Sequence, residues 1–207
     1  MPRLILVRHG RTEWNEAGRY QGRSDIGLSV AGFREAEAVR QRLATERISA
    51  VYSSDLKRAI QTARTVALGH QVQVVPCEEL REMDFGDLEG LTFDEMKRQV
   101  PEFNWWTARD PDMAFPGGES VRQLAARVHR FAVRLEGYTD TDTVVVVAHG
   151  GALRALVCQL LGLNLKHWWQ MALDSCSVTV IDSHAGWALL SVLNDVCHLS
   201  NLKAREG

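Results

Sequence analysis

Cysteine is sparse in this chain of 207 residues: Cys77, Cys158, Cys176 and Cys197 lie far apart and form no C-x-x-C pair. That spacing matches neither a zinc site nor a dithiol redox motif, so free thiols in a reducing, cytoplasmic setting are expected. Long apolar runs are also missing. Leu4 to Val7 is too short for a signal-peptide core, and no stretch reaches the 18 or so apolar residues of a membrane span, so neither export nor membrane attachment is expected. No excess of one charge exists: 24 Lys plus Arg face 26 Asp plus Glu, for a net charge of -2. Such a balance gives no footprint for a nucleic-acid backbone, and no nucleic-acid partner is expected. The phosphate loop G-x-x-x-x-G-K-[ST] and the dinucleotide fingerprint G-x-G-x-x-G are both absent, which argues against the two common kinds of nucleotide enzyme. Internal repeats and low-complexity tracts are absent too.

What is present reads as an ordinary globular chain, 45% hydrophobic. At this length roughly 70% of the unfolded surface can be buried without a disulfide or metal staple, so one domain over 1–207 is expected. Leu4 to Val7 suits a buried strand that ends abruptly at Arg8-His9-Gly10. Polar loop follows as far as Gly27. Ser29 is a good N-cap for an amphipathic helix through Leu43, and Ile48 to Tyr52 reads as a second strand before a helix over Leu56 to Leu68. Val72 to Val75 suggests a third strand, with a loop from Leu80 to Gly90 and a short helix over Thr92 to Gln99. The segment from Pro101 to Gly118 is irregular and aromatic, so a lid over 91–118 is expected. A helix over Glu119 to Leu135, a valine strand over Thr143 to Ala148 and a helix over Ala152 to Leu161 come next. Val178 to Ile181 and Ala188 to Leu193 suggest a closing hairpin. Strands alternating with helices imply an α/β fold: a mostly parallel central sheet flanked by helices, with ligands at the C-terminal ends of the strands.

Chemistry concentrates at those ends. His9-Gly10 follows the first strand, Ser53 to Arg58 follows the second, and His149-Gly150-Gly151 follows the valine strand. One histidine after a strand is most often structural; two His-Gly steps at two strand ends point to a site. Arg8 and Arg58 offer planar forks of donors, Asn15 a neutral donor, and the Gly150 amide opens a helix, which together suit a phosphoryl group. Arginine neighbours repel a cation, so no metal is expected at His9 and His149. A neutral His9 could attack phosphorus while the arginines and a charged His149 spread the developing charge. Positive neighbours would keep His9 unprotonated. A proton donor for the leaving alkoxide is still required, and Glu82 is a candidate. It is one of four acidic residues between Glu82 and Glu89, and spacing does not choose among them.

The run Leu6-Val7-Arg8-His9-Gly10-Arg11-Thr12-Glu13-Trp14-Asn15 closely resembles the signature of the histidine phosphatase superfamily, the phosphoglycerate mutase-like proteins. Further blocks are similar in the same order: Gln21-Gly22, Tyr52 to Ala59, Leu80-Arg81-Glu82, Gly117 to Ser120, Ala148 to Gly151 and Asp195 to Leu199. The resemblance implies a phosphoglycerate mutase-like three-layer sandwich. It also implies that His9 is the phosphorylated nucleophile, that Arg8, Arg58 and His149 bind phosphate, and that Glu82 is the acid and base. Asn15, Gln21, Gly22 and the Gly150 amide match positions near the substrate phosphate. No cofactor is implied. Arg11 stands where an acidic or amide residue is commoner, which would alter charge at the pocket mouth, and Ile26-Gly27 replaces a usual X-Pro step.

Within such a family the alternatives are a phosphatase and a cofactor-dependent phosphoglycerate mutase. Glycolytic mutases carry a longer basic insert where this chain has Phe103, Trp105, Trp106, Met113 and Phe115, so hydrolysis of a small phosphorylated metabolite is favoured. The segment looks most like α-ribazole phosphatases and related broad-specificity phosphatases, and an α-ribazole 5'-phosphate or a sugar phosphate is the expected substrate class. A non-catalytic phosphoester-binding module is the remaining alternative, and a monomer or homodimer is expected. Trp168, Trp169 and Met171 form either an exposed patch or the foot of the core.

Overall fold

In the computed structural model, which describes residues 2–101, 110–184 and 186–203, six strands form one sheet in the order β3-β2-β4-β1-β5-β6. They are β1 (Arg3–Arg8), β2 (Ala50–Ser54), β3 (Val74–Cys77), β4 (Thr143–Ala148), β5 (Val178–His184) and β6 (Trp187–Asp195). The pairs β1/β4, β2/β4 and β2/β3 are parallel, whereas β5 runs antiparallel to β1 and to β6. Helices α2 (Val30–Leu43), α3 (Lys57–Ala67), α5 (Val121–Ala132) and α6 (Gly150–Leu160) cover the two faces. This is the expected three-layer α/β arrangement.

Alternation along the central strands builds two cores. Leu4, Leu6, Val144 and Val146 pack with α5 and α6, while Ile5, Val7, Val145 and Val147 pack with α2 and α3. Because both faces are covered, the strands read as continuous apolar runs rather than as alternating ones. Their ends are therefore sharp in sequence, and β4 spans the expected residues.

Four local readings change, one of them β3, which starts two residues later than the expected Val72 and runs on to Cys77 beside β2. β2 starts two residues late and runs on to Ser54, because its pairing with β3 and β4 continues that far. The serines sit in the strand instead of after it; the Ser53 hydroxyl is satisfied by the Ser54 carbonyl at 2.7 Å. The polar stretch after β1 contains a one-turn helix, α1 (Glu13–Glu16), held by a capping box between Thr12 and Asn15. The helix expected up to Leu135 ends as α5 at Ala132 and tightens into a 3-10 turn over Val133–Gly137. A short α4 (Phe93–Gln99) carries the capping box Thr92 and Glu95, and α7 (Ser200–Lys203) follows β6.

Phe103, Trp105 and Trp106, on which the lid expectation rests, lie outside the described residues. Phe115 is buried and meets the Phe85 ring edge-on at 4.9 Å. The expected closing hairpin is present as β5 and β6, with His184 stacked on Trp187. All four cysteines are free. No helix among the described residues is long and apolar enough to cross a membrane.

Candidate active site

The parallel register of β1 and β4 pairs Arg8 with Ala148, so the next residue of each strand is a histidine at the same level. The His9 amide extends the ladder by one bond, to the Ala148 carbonyl at 2.9 Å. The two rings stand 5.0 Å apart, centre to centre, at the C-terminal edge of the sheet. Both are buried.

Hydrogen bonds set the His9 tautomer. Nδ1 lies 2.8 Å from the Gly10 carbonyl, which can only accept, so the ring proton is on Nδ1. Arg58 Nε donates to the other nitrogen, Nε2, at 3.3 Å. The Nε2 lone pair therefore faces the cavity's cations. Burial, then the charges of Arg58 and Arg8, hold the His9 pKa well below the usual histidine range.

His149 is organised differently. Ser54 Oγ accepts from the Leu56 amide at 3.3 Å and lies 2.8 Å from His149 Nε2. That contact fixes the orientation of the ring, and Nδ1 is buried with no hydrogen-bond partner among the described residues. Burial and the charges of Arg58, His9, Arg8 and Arg127 push the His149 pKa well down. These causes favour the neutral ring over the charged His149 expected from the sequence, and His149 is not among the residues that line the cavity.

Arg58 is fully buried on α3. Its Nη1 and Nη2 hold the Ser24 and Gly22 carbonyls, both at 2.7 Å, and burial pulls its pKa down to about 10, still charged at neutral pH. Arg8 donates to the Leu173 carbonyl at 2.6 Å, and its Nε is buried without a partner. Gly22 has φ +52, and a side chain there would collide with Glu89 Oε1. Gln21 is buried with its Oε1 unpaired. Asn15 Oδ1 accepts from the Thr12 amide and hydroxyl, both at 3.1 Å, so its amide nitrogen is the part left for a ligand.

Glu82 is separated from Asp84, Asp87 and Glu89 by what the fold brings to it. The Gly151 and Ala152 amides in the first turn of α6 each donate to its carboxylate at 3.2 Å. A Cβ on Gly151 would come within 2.5 Å of Glu82 Oε1, so the helix can approach only through glycine. Arg127 on α5 holds the loop from behind: Nη1 takes the Glu79 and Arg81 carbonyls at 2.9 and 2.8 Å, and Nη2 takes the Glu82 carbonyl at 3.1 Å. Glu119 pairs with Arg127 at 2.5 Å. Nothing in the spacing of α5 distinguishes Arg127 from the surface arginines of an amphipathic helix. Ser54, whose hydroxyl orients His149, was equally hidden at the end of a strand.

Arg8, His9, Asn15, Gln21, Gly22, Arg58, Glu82 and Gly150 all line one cavity of about 190 Å³. Its far wall adds Arg154 from α6 and Trp168, which is buried rather than part of an exposed patch. Trp169 is the exposed member of that pair, while Met171 is buried. Arg11 is not at the mouth: its Nε pairs with the buried Glu35 of α2 at 2.5 Å. Among the described residues no three His, Cys, Asp or Glu side chains are grouped to hold a metal ion.

Two buried neutral histidines make folding stability depend on pH. Below pH about 6.5 the unfolded chain binds protons that the folded pocket refuses. Stability contributed by keeping them neutral is therefore present above that pH and is lost as pH falls below it, by up to roughly 1.4 kcal/mol per pH unit for each histidine. Urea unfolding between pH 7.5 and 5.0 should show this loss. A flat profile would mean that neither ring resists protonation.

A parallel-sheet edge with two neighbouring histidines, two arginines that form no ion pair among the described residues, and one carboxylate makes a pocket suited to a phosphoryl group. The profile of the histidine phosphatase superfamily (branch 1) matches residues 4–196, and the chain belongs to that family. It is 36% identical over 200 residues to phosphoserine phosphatase 1 of Hydrogenobacter thermophilus, covering 96% of this chain and 95% of that one. Among solved structures it is similar to a putative alpha-ribazole-5'-P phosphatase of Escherichia coli, with TM-score 0.86 and 31% identity over 93% of this chain and 96% of that one. A mycobacterial glucosyl-3-phosphoglycerate phosphatase solved with VO3 gives TM-score 0.86 and 32% identity over 93% and 98%. The phosphoglycerate mutase-like fold implied by the motifs is the fold of these neighbours.

Proposed function

We propose that this chain hydrolyses small phosphomonoesters through a phosphohistidine at His9, without a metal. The observation that carries the proposal is the His9 tautomer: an unprotonated Nε2, held by Nδ1–H on the Gly10 carbonyl, faces the cavity that Glu82 lines.

In the first step the Nε2 lone pair attacks phosphorus, the N–P bond forms and the ester P–O bond breaks. Protonated Glu82 gives its proton to the leaving alkoxide. Arg58 Nε transfers its hydrogen bond from Nε2 to a phosphoryl oxygen, and Arg8, Asn15, Gln21 and the Gly150 amide supply further donors. The negative charge of the phosphoryl group favours protonation of the nearby His149 ring, whose Nδ1 has no partner among the described residues. In the second step the Glu82 carboxylate takes a proton from water, the water oxygen attacks phosphorus and the N–P bond breaks. Phosphate leaves and His9 is restored.

The test is release of p-nitrophenol from p-nitrophenyl phosphate with EDTA present, beside an assay of 2- and 3-phosphoglycerate interconversion primed with the bisphosphate. Metal-free hydrolysis without isomerisation supports the proposal. Isomerisation faster than hydrolysis would identify a mutase, and neither activity would identify a binding module.

A further inference from the structure

The motif block Gly117 to Ser120 takes no part in the chemistry above, yet its Glu119 is buried. Glu119 Oε1 accepts from Arg127 Nη2 at 2.5 Å and from the Asp84 amide at 3.0 Å, and the Glu119 amide donates to the Asp84 carbonyl at 3.0 Å. Its Oε2 accepts from Arg23, two residues beyond Gln21, at 3.3 Å. Arg127 carries the clamp on to the carbonyls of Glu79, Arg81 and Glu82. The segment from Arg81 to Phe85, between the 3-10 turns Glu78–Leu80 and Gly86–Leu88, belongs to no strand or helix. Its Arg81, Glu82 and Asp84 carbonyls and its Asp84 amide are held by Glu119 or Arg127 instead of by a ladder.

What this clamp fixes is the aim of the proton donor. Glu82 Oε1 accepts from the Met83 amide at 2.9 Å and the Ala152 amide at 3.2 Å, whereas the described residues give Oε2 only the Gly151 amide, at 3.2 Å. With both lone pairs of Oε1 engaged, the proton of the acid form belongs on Oε2. A Cβ placed on Gly150 would have Arg8 Nε at 3.8 Å and Glu82 Oε2 at 3.9 Å as neighbours, so that oxygen borders the phosphate end of the cavity. A turn of the Glu82 peptide would swing it away, and a misplacement of about 1 Å can cost roughly 100-fold in rate. A buried ion pair adds little net stability over an apolar pair of the same size, but no apolar side chain can hold three carbonyls at once. We propose that Glu119 and Arg127 are positioning residues that hold the Glu82 main chain so that Oε2 faces the leaving-group oxygen. Neither lines the cavity, so both act through Glu82. This inference rests on the hydrolase reading and deepens it.

The experiment compares phenyl phosphate with p-nitrophenyl phosphate, two aryl esters of similar shape whose leaving groups differ in basicity. Phenolate, the stronger base, gains from a proton in the transition state, and p-nitrophenolate gains little. Arg127→Met should lower the ratio of kcat/KM, phenyl over p-nitrophenyl, roughly fivefold to 30-fold, while the p-nitrophenyl value itself falls by less than about threefold. Glu82→Gln should lower the same ratio at least as far. Adding Arg127→Met to it should change the ratio by less than about twofold, since no acid is then left to aim. Equal losses on the two esters, or a ratio that falls again by the same factor in the double variant, would overturn the proposal. Circular dichroism controls for the fold. Should Arg127→Met fail to fold, Glu119→Gln decides: it keeps the size of the side chain, removes the charge that Arg127 pairs with and should lower the ratio roughly threefold to tenfold. An unchanged ratio in that variant would overturn the proposal. Absence of hydrolysis of both esters by wild type would instead remove the hydrolase reading itself.

Discussion

His9→Ala should lose hydrolysis of every phosphomonoester by roughly 10⁴-fold or more, because a residue that forms the covalent intermediate has no substitute in the pocket. His149 is the nearest imidazole, with its ring 5.0 Å from that of His9. Its Nε2, however, is engaged with the Ser54 hydroxyl at 2.8 Å, and the ring is not among those that line the cavity. It cannot replace the lone pair that His9 presents beside Arg58. The variant should fold, since the strand end is held by main-chain bonds from β1 to β4 rather than by the ring. Circular dichroism checks the fold, and phosphate release checks the activity. Retention of more than a few per cent of wild-type activity would place the nucleophile elsewhere.

Glu82→Gln should separate substrates by their leaving groups. An alkyl ester departs as a strong base and needs a proton in the transition state, so its kcat/KM should fall roughly 10²- to 10⁴-fold. p-Nitrophenolate leaves unaided, and its kcat/KM, which reports the steps up to leaving-group release, should change by less than about tenfold. Turnover of the aryl ester then becomes limited by the second step, where the same carboxylate takes a proton from water. The glutamine oxygen can keep the Ala152 amide, but its NH2 then faces the Gly151 amide, so circular dichroism of the variant is the control for the fold. Equal losses of kcat/KM on alkyl and aryl esters would make Glu82 a positioning group.

The strand-end histidines were legible because each follows an unbroken apolar run, and a parallel sheet places its ligand groups at those ends. The placement of His9 beside His149 needs only that β1 and β4 be neighbours. Glu82 was not legible from spacing, since its distinction from Asp84, Asp87 and Glu89 comes from the α6 amides and from Arg127, which lie 45 or more residues away in sequence. The family motif selected it where local chemistry did not. Short polar elements such as α1 also escaped, because a capping box of Thr12 and Asn15 leaves no hydrophobic period to detect. Arg11 looked like a determinant at the pocket mouth until its partner Glu35 appeared on a different helix.

The central claim is the phosphohistidine, and Glu82→Gln offers a way to see it. With an aryl phosphate this variant should form the N–P bond quickly and break it slowly. Rapid mixing with p-nitrophenyl phosphate should give a burst of p-nitrophenol close to one equivalent per chain. The phosphoryl label left on the protein should be acid-labile and alkali-stable, and should lie on the peptide that carries His9. Turnover without a burst, or a label on any other residue, would contradict the account.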